Sequence, residues 1–158
     1  MIRAALACMA LTALMAGSAR AQALNPDTKT TLSGECVYSI LRFGISPPYE
    51  SVPFTCSKAI IKTERQGNAE LAVVTLAGGN TDPINFAGHL TGDTLAVQYL
   101  FFGPAPQKAH PVVDQAQARC DLIPDDHNAR LLSSIVCRGA VIDRDKGVSM
   151  VIDFHPNL

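Results

Sequence analysis

Tryptophan is absent from this 158-residue chain, and aromatic residues of all kinds make up only 6% of it. The broad rings on which sugars usually stack are therefore scarce. Charge is also sparse, at 17% of residues, and it is scattered with no basic block. A phosphate backbone needs a clustered positive footprint, and an anionic membrane surface attracts one, so neither nucleic acid nor a lipid surface is an expected partner. Catalytic signatures are missing too: there is no G-x-S-x-G turn, no H-E-x-x-H and no phosphate-cradling glycine loop. Histidines stand singly at His89, His110, His127 and His155, with no pair at metal-ligand spacing, and no C-x-x-C pair seeds a zinc site. Neither a metal nor a cofactor is expected. His89 falls on the strand parity opposite Phe86 and reads as solvent-facing. The enzymatic alternative is a hydrolase-like site assembled in space, for example from His110, Asp114 and a remote serine.

The one long apolar run lies at the start. Arg3 precedes an apolar stretch from Ala4 to Ala16, and Ala19-Arg20-Ala21 or Ala21-Gln22-Ala23 supplies a small-x-small cleavage pattern. That stretch is about thirteen residues long, short of the roughly twenty a spanning helix needs. Residues 1–23 therefore read as a cleaved secretory signal of bacterial type, and 24–158 as a single mature domain, periplasmic or secreted, with no membrane span. Cleavage removes Arg3 and Arg20 from thirteen basic residues, leaving eleven against fourteen acidic ones, a net charge near −3.

Cys8 leaves with the signal, and four cysteines remain. In an oxidising compartment an even set implies two disulfides. A repeated pattern favours one pairing. Cys56-Ser57-Lys58-Ala59-Ile60-Ile61 and Cys137-Arg138-Gly139-Ala140-Val141-Ile142 share Cys-x-x-Ala and two branched apolar residues, and each has a cysteine upstream, Cys36 and Cys120. Pairing Cys36 with Cys56 and Cys120 with Cys137 joins the limbs of each unit. Duplication and convergent packing demands both account for the likeness.

The backbone reads as almost wholly β. Leu32, Cys36, Tyr38 and Ile40 share one parity, and strands over 54–63 and 70–77 flank a turn at Gln66-Gly67-Asn68. Ile84, Phe86, Gly88 and Leu90 share a face of the next strand. Thr91-Gly92-Asp93 then turns the chain into Leu95, Val97, Tyr99 and Phe101, which share a parity predicted to face inward, leaving Phe102 on the opposite side. Pro104, Pro106 and Pro111 mark a loop, with at most a helical turn near 109–117. Strands resume over 116–123 and 131–142, and Val148, Met150, Ile152 and Phe154 align on the last one. The expected fold is all-β: about eight antiparallel strands in a small barrel or a two-layer sandwich, stapled by two disulfides. Apolar residues on both parities, as in Leu71-Ala72-Val73-Val74 and Ile135-Val136, lean towards a sandwich or a barrel with one covered face.

The loops are where binding is expected, because a stapled scaffold holds them rigidly. The stretch from Arg42 to Pro53 carries three prolines with Phe43 and Tyr49, and Phe102 opens the Gly103–Asp114 connection. Phe43, Tyr49 and Phe102 are the candidate contact residues, forming a proline-aromatic rim if both loops share one end of the domain. The Pro124-Asp125-Asp126-His127-Asn128 loop reads as a hairpin tip. The expected function is a small exported scaffold that presents loops to a protein or a small apolar ligand; an enzyme and a structural envelope component are the alternatives. An inner cavity lined by Phe86, Leu95, Val97, Tyr99 and Phe154 would mark a carrier.

Overall fold

The computed structural model describes residues 27–44, 50–103, 109–143 and 146–157. The signal segment, Tyr49, Pro104, Pro106 and the Arg144-Asp145 tip lie outside them.

Ten strands form one antiparallel sheet and no helix is present among the described residues. They are β1 (Lys29–Gly44), β2 (Glu50–Ser51), β3 (Lys58–Gln66), β4 (Ala69–Gly78), β5 (Thr81–Thr91), β6 (Thr94–Phe102), β7 (His110–Pro111), β8 (Arg119–Pro124), β9 (Leu132–Asp143) and β10 (Lys146–Pro156). Eight of these run up and down around a circle, β1-β3-β4-β5-β6-β8-β9-β10, and β10 pairs back with β1 to close it. The fold is a closed eight-stranded barrel, with β2 added beside β1 and β7 beside β6. Closure removes the free sheet edges that an open sandwich would have to protect.

Tight turns set the registers. Gln66 pairs with Ala69 across Gly67-Asn68, and Thr91 with Thr94 across Gly92-Asp93. In both, the first loop residue is a glycine at φ near +60° and the second lies at negative φ, the pattern of a type II′ hairpin. Glycine adopts that φ without the Cβ clash any other residue would meet.

Alternation then fills the interior. Ala59 and Ile61 of β3, Val74 and Leu76 of β4, Phe86 of β5, Leu95 and Val97 of β6, Cys120 and Leu122 of β8, Ile135 and Cys137 of β9, and Met150, Ile152 and Phe154 of β10 are all buried. An eight-stranded barrel is just wide enough for its side chains to fill. The outward residues of the doubly apolar strands, Leu71, Val73 and Val136, are half-buried on the outer wall, with no second sheet over them.

The parity expected for β6 fails midway along the strand. Gly88 pairs with Val97 and Ala87 with Tyr99, so Gln98 is an extra residue opposite the 87/88 step. A one-residue bulge reverses every side chain beyond it. Tyr99 therefore points out at 44% exposure, while Leu100 points in at 0%. Phe102 packs against the core, where the sequence had placed Phe101. The partner glycine marks the spot: a Cβ on Gly88 would run into the Ala96 carbonyl, so the backbones approach there as only glycine permits.

Two strands of the barrel are interrupted, which shortens the predicted elements. The chain beside β1 pairs at 50–51 and again from Lys58, and residues 52–56 between are not in strand, so the run predicted from Phe54 begins at Lys58. Val52 N–H still donates to the Ile40 carbonyl, and Gly34 N–H to the Ser57 carbonyl. The Cys36–Cys56 disulfide crosses this loosened seam, and Tyr38, expected inside, stands 39% exposed there with its ring edge-on to buried Phe54. Between β7 and β8 the chain leaves the wall for one helical turn. Ala118 N–H donates to the Asp114 carbonyl and Ala116 N–H to the Asp114 carboxylate, so the strand predicted from Ala116 begins at Arg119.

Both disulfides pair as the repeated pattern indicated. Their seats differ, however. Cys120 and Cys137 sit directly opposite each other in an intact ladder and are fully buried. Their strands, β8 and β9, are the sixth and seventh around the circle, whereas the first unit occupies the first and second positions. Five places in an alternating barrel reverses the strand direction, so no rotation about the barrel axis superposes the two units. The motif is therefore not the mark of a duplicated half-barrel.

Candidate functional site

The up-and-down order gathers four connections at one end of the barrel: those after β1, after β4, after β6 and after β9. Inward positions near that end belong to the last turns of the interior. They are Ile40 and Arg42 on β1, Ile84 on β5, Phe102 on β6 and Val148 on β10. Together with Val52, Pro53 and Phe54 from the interrupted seam, and Thr81 and Asp82 at the start of β5, they line a cleft of about 380 Å³. Its floor is apolar, with Ile40, Phe54 and Ile84 buried, and its polar groups, Arg42, Thr81 and Asp82, lie at the margin.

This mouth brings together part of what the sequence singled out. Phe102 lines it, as does Pro53 from the end of the first loop, so these two loops do meet at one end. Phe43 does not join them. It lies on the outward parity of β1, opposite Gly147, and its ring covers that glycine so closely that a Cβ there would strike it. Tyr49 lies outside the described residues. The mouth residues that sequence reasoning missed, Ile84 and Val148, were legible as inward strand positions. What was not legible was their height in the barrel, because each follows a turn by only a few residues and height depends on closure.

The polar network around the mouth is structural. Asn85, on the outward parity of β5, is nonetheless buried. Its Oδ1 accepts from the Thr75 hydroxyl at 2.7 Å, and its Nδ2 donates to the Gly103 carbonyl at 3.1 Å. Gly103 N–H donates in turn to the Pro83 carbonyl at 2.8 Å. The exit of the chain from β6 is thereby fixed to the start of β5, which holds Phe102 beside Ile84.

Other candidate sites resolve differently. The ring of His110 lies 6.1 Å from that of Phe102, while Asp114 caps the following turn. In the 124–128 loop, Asp125 accepts from the backbone N–H of His127 and of Asn128, both at 2.9 Å, so its carboxylate closes the hairpin tip. The inner cavity that would have marked a carrier is not formed by the residues expected to line it. Phe86, Leu95, Val97 and Phe154 are packed in the core, and Tyr99 faces outward. Among the described residues no group of three or more His, Cys, Asp or Glu side chains could hold a metal ion. Among the described residues there is no helix long and apolar enough to cross a membrane. Two disulfides are consistent with an oxidising location.

Comparison of the chain with protein-family models, with curated proteins and with solved structures finds no match in any of the three.

Proposed function

We propose that this protein is an exported binding protein that holds a small apolar ligand in the mouth of a filled, stapled barrel. The observation that carries the reading is the mouth cleft itself. Its volume of about 380 Å³ falls within the range of small-molecule sites, roughly 300–1,000 Å³. An apolar floor with a few polar groups at the margin is the composition such sites share. The ligand that fits buries a compact hydrocarbon or aromatic body against Ile40, Phe54, Ile84 and Phe102, and leaves its polar end at Arg42, Thr81 and Asp82. Export is supported by the N-terminal apolar segment with its small-x-small boundary and by the paired cysteines.

The test is titration of the oxidised protein with anilinonaphthalene sulfonate, an apolar fluorophore with one charged end. Saturable binding of one dye per chain is expected. Val148→Phe, which fills the cleft from β10, should weaken it by at least about tenfold, equivalent to 1.4 kcal/mol. Val52→Lys, at the margin, should weaken it without touching the deeper core. Absence of binding, or unchanged affinity in both folded variants, would overturn the reading.

A further inference from the structure

A second hollow, of about 510 Å³, lies on the outer wall of β3 to β6 and shares no lining residue with the mouth cleft. The registers explain its shape. Lys29, Lys62, Val73, Ala87 and Tyr99 pair in turn, one each from β1, β3, β4, β5 and β6, so they stand in a single outward row. Glu64 and Leu71 pair in the next row. Ala87 is the smallest side chain of its row, and the bulge at Gln98 bends the strand beside it. The floor therefore sinks at Ala87, between half-buried Leu71 and Val73 on one side and Tyr99, 44% exposed, on the other.

Around this apolar floor stands a mixed polar margin. Lys29 and Lys62 bring ammonium groups, Asp27 and Glu64 carboxylates, and Gln98 an amide. The Asp27 carboxylate accepts from the Arg65 N–H at 3.3 Å. Lys29, Lys62, Glu64 and Gln98 make no side-chain hydrogen bond or ion pair among the described residues, so their donors and acceptors are open to a ligand.

We propose that this groove is a carbohydrate site, which takes a neutral oligosaccharide laid across the strands. Its two ammonium groups are matched by two carboxylates, so the margin has no net charge to attract an ion. A sugar hydroxyl both donates and accepts, and so can use ammonium, amide and carboxylate alike. The C–H faces of pyranose rings need apolar contact, which Leu71, Val73, Ala87 and the Tyr99 ring supply; aromatic rings are few in this chain, and this one stands beside the floor. From Lys62 to Tyr99 the row spans three strand spacings, about 14 Å, room for roughly three rings end to end. An extended peptide fits less well. It would add to a free sheet edge, and these strands are already paired on both sides. A purely apolar ligand would strip water from the polar margin without replacing its hydrogen bonds.

The test is an amide-resolved NMR titration of the oxidised mature protein with cellotriose, maltotriose and chitotriose. Each is taken to about 20 mM, since a groove this open binds on the order of millimolar. Saturable binding of at least one trimer is expected, with shifts centred on 62–64, 71–73, 87–88 and 98–99. Tyr99→Ala should weaken it at least about tenfold, as removal of a central aromatic anchor does. Ala87→Leu, which fills the floor, should abolish it, with urea unfolding showing both variants folded. Trigalacturonate, an anionic counterpart, should bind no tighter than the best neutral trimer. Binding of none of the neutral trimers overturns the inference. So do shifts centred on the mouth, an affinity indifferent to both substitutions, or tighter binding of trigalacturonate.

Discussion

Replacing Leu100 and its neighbour Tyr99 separately by alanine puts the bulge at Gln98 to a quantitative test. Simple alternation from Leu95 and Val97 places Tyr99 inside and Leu100 outside; the bulge does the reverse. Leu100 is 0% exposed, so Leu100→Ala removes buried methyl groups and leaves a cavity in a wall held by two disulfides. Such substitutions cost 2–5 kcal/mol, and a site with little freedom to collapse should cost about 3–4 kcal/mol. Tyr99 is 44% exposed on the outer wall, and Tyr99→Ala should cost about 1 kcal/mol, roughly half the burial value of a large side chain. With a urea dependence of about 1–3 kcal/mol per molar, Leu100→Ala should lower the unfolding midpoint by at least about 1 M, and Tyr99→Ala by about a third as much. Urea unfolding followed by far-ultraviolet circular dichroism under non-reducing conditions reads both. Equal losses, or a larger loss for Tyr99→Ala, would refute the bulge and the inward placement of Phe102 that depends on it.

Three further expectations follow from particular contacts. The disulfides enclose sequence separations of 20 and 17 residues, so removing either pair as a double Cys→Ala variant should cost about 3 kcal/mol on chain-entropy grounds. They should differ locally: loss of Cys36–Cys56 speeds amide exchange through 52–57, where little ladder remains, whereas loss of Cys120–Cys137 leaves β8 protected by its ladder with β9. Gly147→Ala collides with the Phe43 ring and should cost about 1–3 kcal/mol, a loss largely relieved in a Phe43→Ala background; a cycle with no coupling would contradict the contact. Asn85→Ala strands the Gly103 carbonyl and the Thr75 hydroxyl, so a loss of about 1–3 kcal/mol in thermal or urea unfolding is expected, and a neutral result would argue against the tether.

Much of the barrel is written in local patterns. The alternation Val148, Met150, Ile152, Phe154 and the glycine turns at 67 and 92 each depend on a few consecutive residues, and each appears where the sequence places it. The disulfide pairing was legible because the two cysteine units repeat their surroundings. What escaped local reading depends on distant strands. The reversal at Gln98 is imposed by the close approach of Gly88 to Ala96, and the clue, a glycine inside a strand pattern, sits on the neighbouring strand. Tyr38 has the parity of a core residue but meets the loosened seam beside 52–56, so it stays half outside. The choice between barrel and sandwich turned on β10 finding β1, a pairing between the two ends of the domain that no local window contains. The candidate site suffered most from this. Phe102 was selected for the wrong face yet lines the mouth, while Phe43 was selected for a rim and covers Gly147 on the outer wall.

The most direct test of a ligand site at the mouth of a filled barrel is a methyl-resolved NMR titration of the oxidised protein with anilinonaphthalene sulfonate. Shifts concentrated on the methyls of Ile40, Val52, Ile84 and Val148 are expected, with those of Leu95, Val97, Ile135 and Ile152 in the packed interior unmoved. Shifts centred on the deep set, or confined to Leu41, Ile142 and Val151 on the outer wall, would contradict it.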